Sequence, residues 1–245
     1  MNTLKKLPLF LAFILLFSCD ELPLTDSEIA AGLKSALEVG SKYALKTLGV
    51  EDGFLLDQAV KIGLPEDAAT LINIAKNNPI LAPVVGSFAK KIENQLVLTI
   101  NRAAEAAIDG VIPIVIDAIT TMSIQDARTI LFSDNNGAAT DYLKVITYDP
   151  LSNVCSSVIK EALNKKIVLD ISAQDVWGEL TELNNRIAKI LPSMVQPIET
   201  DLSLYTTHKT LDGVFLKVGD EEKKIRTDVS ARVNDLLRRV FGQLD

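Results

Sequence analysis

The sequence predicts an all-α protein of a single multi-helix domain, and three observations carry that prediction. Apolar residues recur at spacings of three and four along almost the whole chain, with no convincing run of period-two alternation. Capping residues, glycines and prolines fall where those stretches begin and end. Apolar residues make up 48% of the 245 positions, enough to fill a substantial core, and no repeat or low-complexity stretch divides them.

The first segment is a leader. Lys5 and Lys6 precede the apolar stretch 7–17, which is too short for a membrane span of roughly 20 residues and has the layout of a secretory signal. Ser18 before Cys19 predicts cleavage between them and lipidation of Cys19, whose thiol takes a diacylglyceryl group and whose freed amine takes a further acyl chain. Two or three chains hold a protein stably at a membrane where one does not. Residues 1–18 are therefore expected to be a lipoprotein signal peptide, 19–26 a lipidated N-terminus with a short tether, and 27–245 the helical domain.

Thr25 with Glu28 three residues on forms a capping box, and Ile29, Leu33, Leu37, Ala44 and Leu48 continue one apolar face until Gly49 stops the helix. Residues 50–64 have several apolar side chains among their glycines, which predicts an ordered loop pinned to the core. Pro65 suits a first helical position, and a short helix is expected from there to about Lys76, before Asn77-Asn78-Pro79 interrupts it. A longer helix follows to about Asp109, with Ile92, Leu96, Ile100, Ala103 and Ala107 inward. Gly110 and Pro113 predict a break or kink, and the apolar segment 111–119, short and carrying Asp117, predicts a buried central helix.

Ser123 predicts the cap of the next helix, with Asp126 serving its free amides, and 133–137 predicts a turn. Helices are then expected over about 138–165, bent near Pro150, over 173–190, and over 201–225. Pro192 and Pro197 bound the connection before the last of these. A terminal helix is expected over 230–241, with Val233, Leu236, Leu237 and Val240 on one face.

Charge excludes some partners. The chain carries a net charge of −7, and removing the leader takes two lysines and no acid, so the mature part is more acidic still. That argues against nucleic acid. Asp20, Glu21 and Asp26 occupy the place where a basic segment would meet anionic lipid, so the acyl groups must do the anchoring. Cys155, flanked by small and apolar residues, reads as a buried core thiol, and a single histidine, His208, offers no second imidazole for a metal. No cofactor or metal is expected.

The polar residues that stand out are Asn101, Arg102 and Glu105 on one helix, Lys209 and Asp212 on another, and Glu221, Glu222 and Arg226 near its end. Arg102 with Glu105 and Glu222 with Arg226 have the spacing of pairs along one helix. Such pairs either fix helix packing or converge on a cleft with the arginines as forked donors to a polar or anionic ligand. Gly53 and Gly213 read as sites of a sharp turn or a close helix contact.

The segments in order also resemble a family of bacterial envelope lipoproteins catalogued as domain-of-unknown-function family 4197. The resemblance spans nearly the whole mature chain. It rests on Glu28-Ile29-Ala30-Ala31-Gly32-Leu33, Asp52-Gly53-Phe54-Leu55, Leu64-Pro65 and Asn101-Arg102-Ala103-Ala104-Glu105. Asp126-Ala127-Arg128, Ala138-Ala139-Thr140 and Leu211-Asp212-Gly213 follow, then Ile225-Arg226, Leu236-Leu237 and Val240-Phe241-Gly242. Asp228-Val229 departs from the pattern, standing where members tend to have a proline-containing turn. What the resemblance implies is a helical lipoprotein, with no reaction or ligand to carry over.

The expected function is therefore that of a non-catalytic protein, lipid-anchored in the cell envelope, that binds another envelope component, foremost a protein. The alternative is a periplasmic module for a lipid or small hydrophobic molecule, in a cavity lined by Val111, Ile114, Val115 and Ile119. An enzyme comes third, because there is no Gly-x-Ser-x-Gly, phosphate loop or His-Glu-x-x-His. It would need Arg102, Glu105, Asp212 and Arg226 to meet in one concave site.

Overall fold

The computed structural model describes residues 23–77, 79, 82–166, 171–190, 192–193 and 195–245. The leader and Cys19 lie outside the described residues. Eight α-helices and no strand occur among the described residues: α1 (Asp26–Leu48), α2 (Glu66–Asn77), α3 (Ala82–Thr121), α4 (Ile124–Leu131), α5 (Ala138–Asn164), α6 (Ala173–Ile190), α7 (Leu202–Thr227) and α8 (Asp235–Phe241). The all-α prediction holds.

The starts follow local chemistry. At α1 the Thr25 hydroxyl accepts from the Glu28 N–H and the Glu28 carboxylate accepts from the Thr25 N–H, so two otherwise orphaned donors are satisfied together. The Ser123 hydroxyl accepts the Asp126 N–H at 3.0 Å and donates to the Asp126 carboxylate at 2.7 Å, confirming the capping reading of that acid. Pro65 stands one residue earlier than expected. It precedes α2, and its carbonyl accepts from the Ala69 N–H.

Of the break or kink expected at Gly110 and Pro113, the break does not occur: α3 runs unbroken through both for 40 residues. Pro113 lies on the exposed side, and the Asp109 carbonyl it leaves unpaired belongs to an exposed residue that water can reach. Gly110 has a packing role instead: a Cβ there would stand 2.5 Å from Val154 Cγ1 of α5. α5 passes through Pro150 in the same way, again on an exposed position.

The C-terminal end also differs from expectation. A 3-10 turn, Val229–Ala231, precedes a helix of only 7 residues, and Val233 is exposed instead of sharing the inward face. Asp228 accepts from the Ser230 N–H, and Asn234 accepts from the Leu237 N–H. Each side chain offers the backbone a local partner that restarts the chain instead of continuing one helix.

α3 is the centre of the bundle. It packs on α5 most extensively, with α1, α2, α6 and α7 also against it, while α4 turns away from α3 by 97°. Val111, Val115 and Ile119 are buried in one continuous core and Ile114 packs against it, so the segment expected at the centre is there. No single helix among the described residues is long and apolar enough to cross a membrane. α1 and α7 run antiparallel: Gly40 meets Glu221, while the loop following α1 meets Gly213 through Phe54 and Val60.

Candidate functional site

The singled-out polar residues fall into three groups, and the first is a staple. Asn101, fully buried on α3, accepts from the Ile62 N–H at 2.9 Å and donates to the Ile62 carbonyl at 2.8 Å. Glu105 accepts from the Phe54 and Leu55 N–H groups at 3.1 and 3.4 Å. Arg102 pairs with Glu105 and Asp52, both at 2.6 Å, and more loosely with Glu51 at 3.2 Å. The Glu105 carboxylate above all, and then Asp52, hold the Arg102 guanidinium above its ordinary pKa, against the effect of burial. Together they satisfy the backbone of the ordered loop expected over 50–64 and hold it against α3.

Asp52 adopts a left-handed φ of 68° there, and Gly53 follows it so tightly that a Cβ would lie 2.5 Å from the carbonyl oxygens of both Thr47 and Leu48. Gly213 of α7 is the close-contact position, with a Cβ falling 2.8 Å from the Phe54 ring. Both glycine readings hold.

The second group is buried between helices. The Glu222 side chain of α7, only 2% exposed, accepts from the Ala139 and Thr140 N–H groups at 2.9 and 2.8 Å and from the Thr140 hydroxyl. A carboxylate at a helix N-terminus meets free donors and the positive end of the dipole. Arg226 donates to Glu222 at 2.9 Å and reaches the Leu131 and Ile130 carbonyls at 3.0 and 2.8 Å. One ion pair therefore caps the start of α5 and the end of α4. Glu221 instead pairs at the surface with Lys224 at 2.5 Å.

Lys209 and Asp212 are the third group. They form an exposed pair at 3.6 Å on α7 and line a groove of about 260 Å³ between that helix and residues 59–63. Tyr205 and Leu216 flank them on the same stripe of α7, and Val60, Ile62 and Gly213 form its floor. The Tyr205 hydroxyl donates to the Gly63 carbonyl at 3.2 Å across the groove, and burial, then the Asp67 carboxylate, push that phenol up, so it keeps its proton. Asn101 supports the opposite side of the same segment. Of the two readings open for these residues, the packing one describes Asn101, Arg102, Glu105, Glu222 and Arg226, whose partners are backbone groups of the loop and the helix ends and acids beside them, and only Lys209 and Asp212 stand in the groove.

Spacing alone revealed the two intrahelical pairs but missed the groove. Tyr205, Lys209, Asp212 and Leu216 follow a helical stripe that is legible in the sequence, whereas residues 59–63 join it only through the fold. Sequence reasoning also missed Arg232, whose side chain is 1% exposed and donates to the Ile225 and Arg226 carbonyls and, in two bonds, to Asp245. Cys155 is buried in the core, and burial pushes its thiol up to about 11. Among the described residues no group of three or more His, Cys, Asp or Glu side chains is arranged to hold a metal.

Neither the curated proteins nor the solved structures include a match to this chain. The model of one protein family, described as a protein of unknown function (DUF4197), matches residues 23–242, from the last residues before α1 to the end of α8. The run of matched positions includes the loop staple, the buried Glu222–Arg226 pair and the groove, and the chain belongs to the DUF4197 family.

Proposed function

We propose that this is a lipid-anchored envelope protein that acts by holding a partner protein in the groove between residues 59–63 and α7. The observation that carries the reading is the groove itself: a concave strip with apolar Tyr205 and Leu216 beside an exposed Lys209–Asp212 pair. Mixed apolar and charged lining of this kind suits a protein surface. Leu216 in the groove lining is 45% exposed, so an apolar side chain is available there.

Position supports the same reading. The 23 residues of α1 carry the chain about 34 Å from Asp26 to the end where the following loop meets α7. Cys19 precedes the N-terminal end of α1 in the chain, and the groove lies by the C-terminal end of that helix.

The test is photo-crosslinking in intact cells from a benzoylphenylalanine at Leu216, with the same probe at Val145, an exposed position on α5, as control. A discrete adduct from Leu216 that is absent from Val145 is the expected result. Equal labelling from both positions, or none from Leu216, would sink the groove as the working surface.

A further inference from the structure

We infer that the groove takes an extended, acidic segment of its partner, which adds as a strand along the backbone of Lys61–Gly63; this rests on the groove being the working surface. Ile62 gives both its N–H and its carbonyl to the Asn101 amide, at 2.9 and 2.8 Å. A residue whose two backbone groups point to one side is extended, as in a hydrogen-bonded pair of an antiparallel ladder, and its neighbours point the opposite way. The Gly63 carbonyl obeys this alternation by meeting the Tyr205 hydroxyl across the groove. The Gly63 N–H and the Lys61 carbonyl have no partner among the described residues.

Asn101 thus plays the part of a neighbouring strand on the inner side, and between the Lys61 N–H, bonded to the Asp57 carbonyl at 2.8 Å, and the Gly63 carbonyl, bonded to Tyr205, the outer side keeps one open acceptor and one open donor. Such edges pair readily with an extended peptide. Access is open, since Lys61 and Gly63 are both exposed.

Charge selects the partner. The Lys61 ammonium lines the groove with no partner among the described residues, and Lys209 is held only at 3.6 Å by a half-exposed Asp212. Two lysines here contrast with a chain of net charge −7. An added strand sends alternate side chains to one face, so acidic residues two apart would meet the two lysines.

The experiment is fluorescence anisotropy with the mature chain in detergent micelles and a labelled hexapeptide of alternating Val and Glu. Its Lys-for-Glu counterpart and a version N-methylated at alternate residues are the comparisons. The acidic peptide is expected to bind, and N-methylation, which removes main-chain donors, to weaken it about tenfold. Gly63→Pro, which deletes the edge N–H while Ile62 already has the extended backbone a following proline requires, is expected to cost about the same factor. Gly63→Ala should bind as the parent does, and Lys61→Glu should weaken binding roughly fivefold.

No binding of the acidic peptide, equal binding of its lysine counterpart, or indifference to N-methylation would each overturn the inference. The N-methylated peptide keeps the test decisive even if Gly63→Pro fails to fold. Crosslinking from Leu216 that persists while the peptides fail would discard strand addition and leave the groove standing, whereas loss of both would discard both.

Discussion

Arg226 shows how a residue that looks like a ligand-binding group is consumed by the fold. Its guanidinium neutralises the buried Glu222 carboxylate and closes the carbonyl end of α4, so removing it strands a charge and two carbonyls together. Arg226→Met is expected to lower unfolding free energy by about 3–5 kcal/mol in urea titration, and a loss below about 1 kcal/mol would show that the pair is dispensable. Asn101→Ala should act twice, destabilising the chain by leaving two buried Ile62 groups unpaired and weakening any partner held along residues 61–63. Pairs along one helix could be read from spacing, because three and four residues always share a face. What each pair held could not, since Ile62, Ala139 and Leu131 are 39, 83 and 95 residues from the side chains that bind them.

Helix starts were legible for the same local reason: caps and their partners are three residues apart, as at Thr25 and Ser123. Breaks were less so. Proline and glycine in α3 read as a stop, yet exposure of Pro113 and the approach of Val154 to Gly110 turned the same residues into a continuous packed helix. Whether a breaker breaks depends on which side of the helix faces water, and only tertiary packing decides that. Gly53 is the opposite case, a turn glycine whose need is local. Gly53→Ala forces a methyl against two carbonyl oxygens of α1, and is expected to cost about 1–3 kcal/mol and loosen the loop that walls the groove. Wild-type stability in that variant, measured by thermal unfolding, would mean that the α1–loop junction yields without strain.

At the scale of the whole molecule, acid sensitivity and anchoring are the testable properties. Glu28, Asp57, Asp175, Asp228 and Asp245 all have carboxyls held below the ordinary range, by the Thr25 N–H, Lys217, the Ser172 N–H, the Ser230 hydroxyl and Arg232 respectively. A carboxylate whose folded value is depressed contributes stability above its unfolded value and loses it as pH falls through the folded one. The urea midpoint should therefore hold steady from neutrality to about pH 5 and decline below about pH 4. An unchanged midpoint down to pH 3 would contradict these capping and pairing roles. The all-α class and its single core were legible because periodicity is a property of the chain, while the groove arises between α7 and a loop more than 140 residues earlier, as the bond from Tyr205 to Gly63 records. The proposed function requires both a lipid on Cys19 and a protein partner in the groove. Native mass spectrometry of the chain extracted gently from its own membranes tests this most directly. The account predicts a Cys19 N-terminus carrying two or three acyl chains and a bound polypeptide that Leu216→Asp releases; a bare chain, or an added mass of only a small molecule, would contradict it.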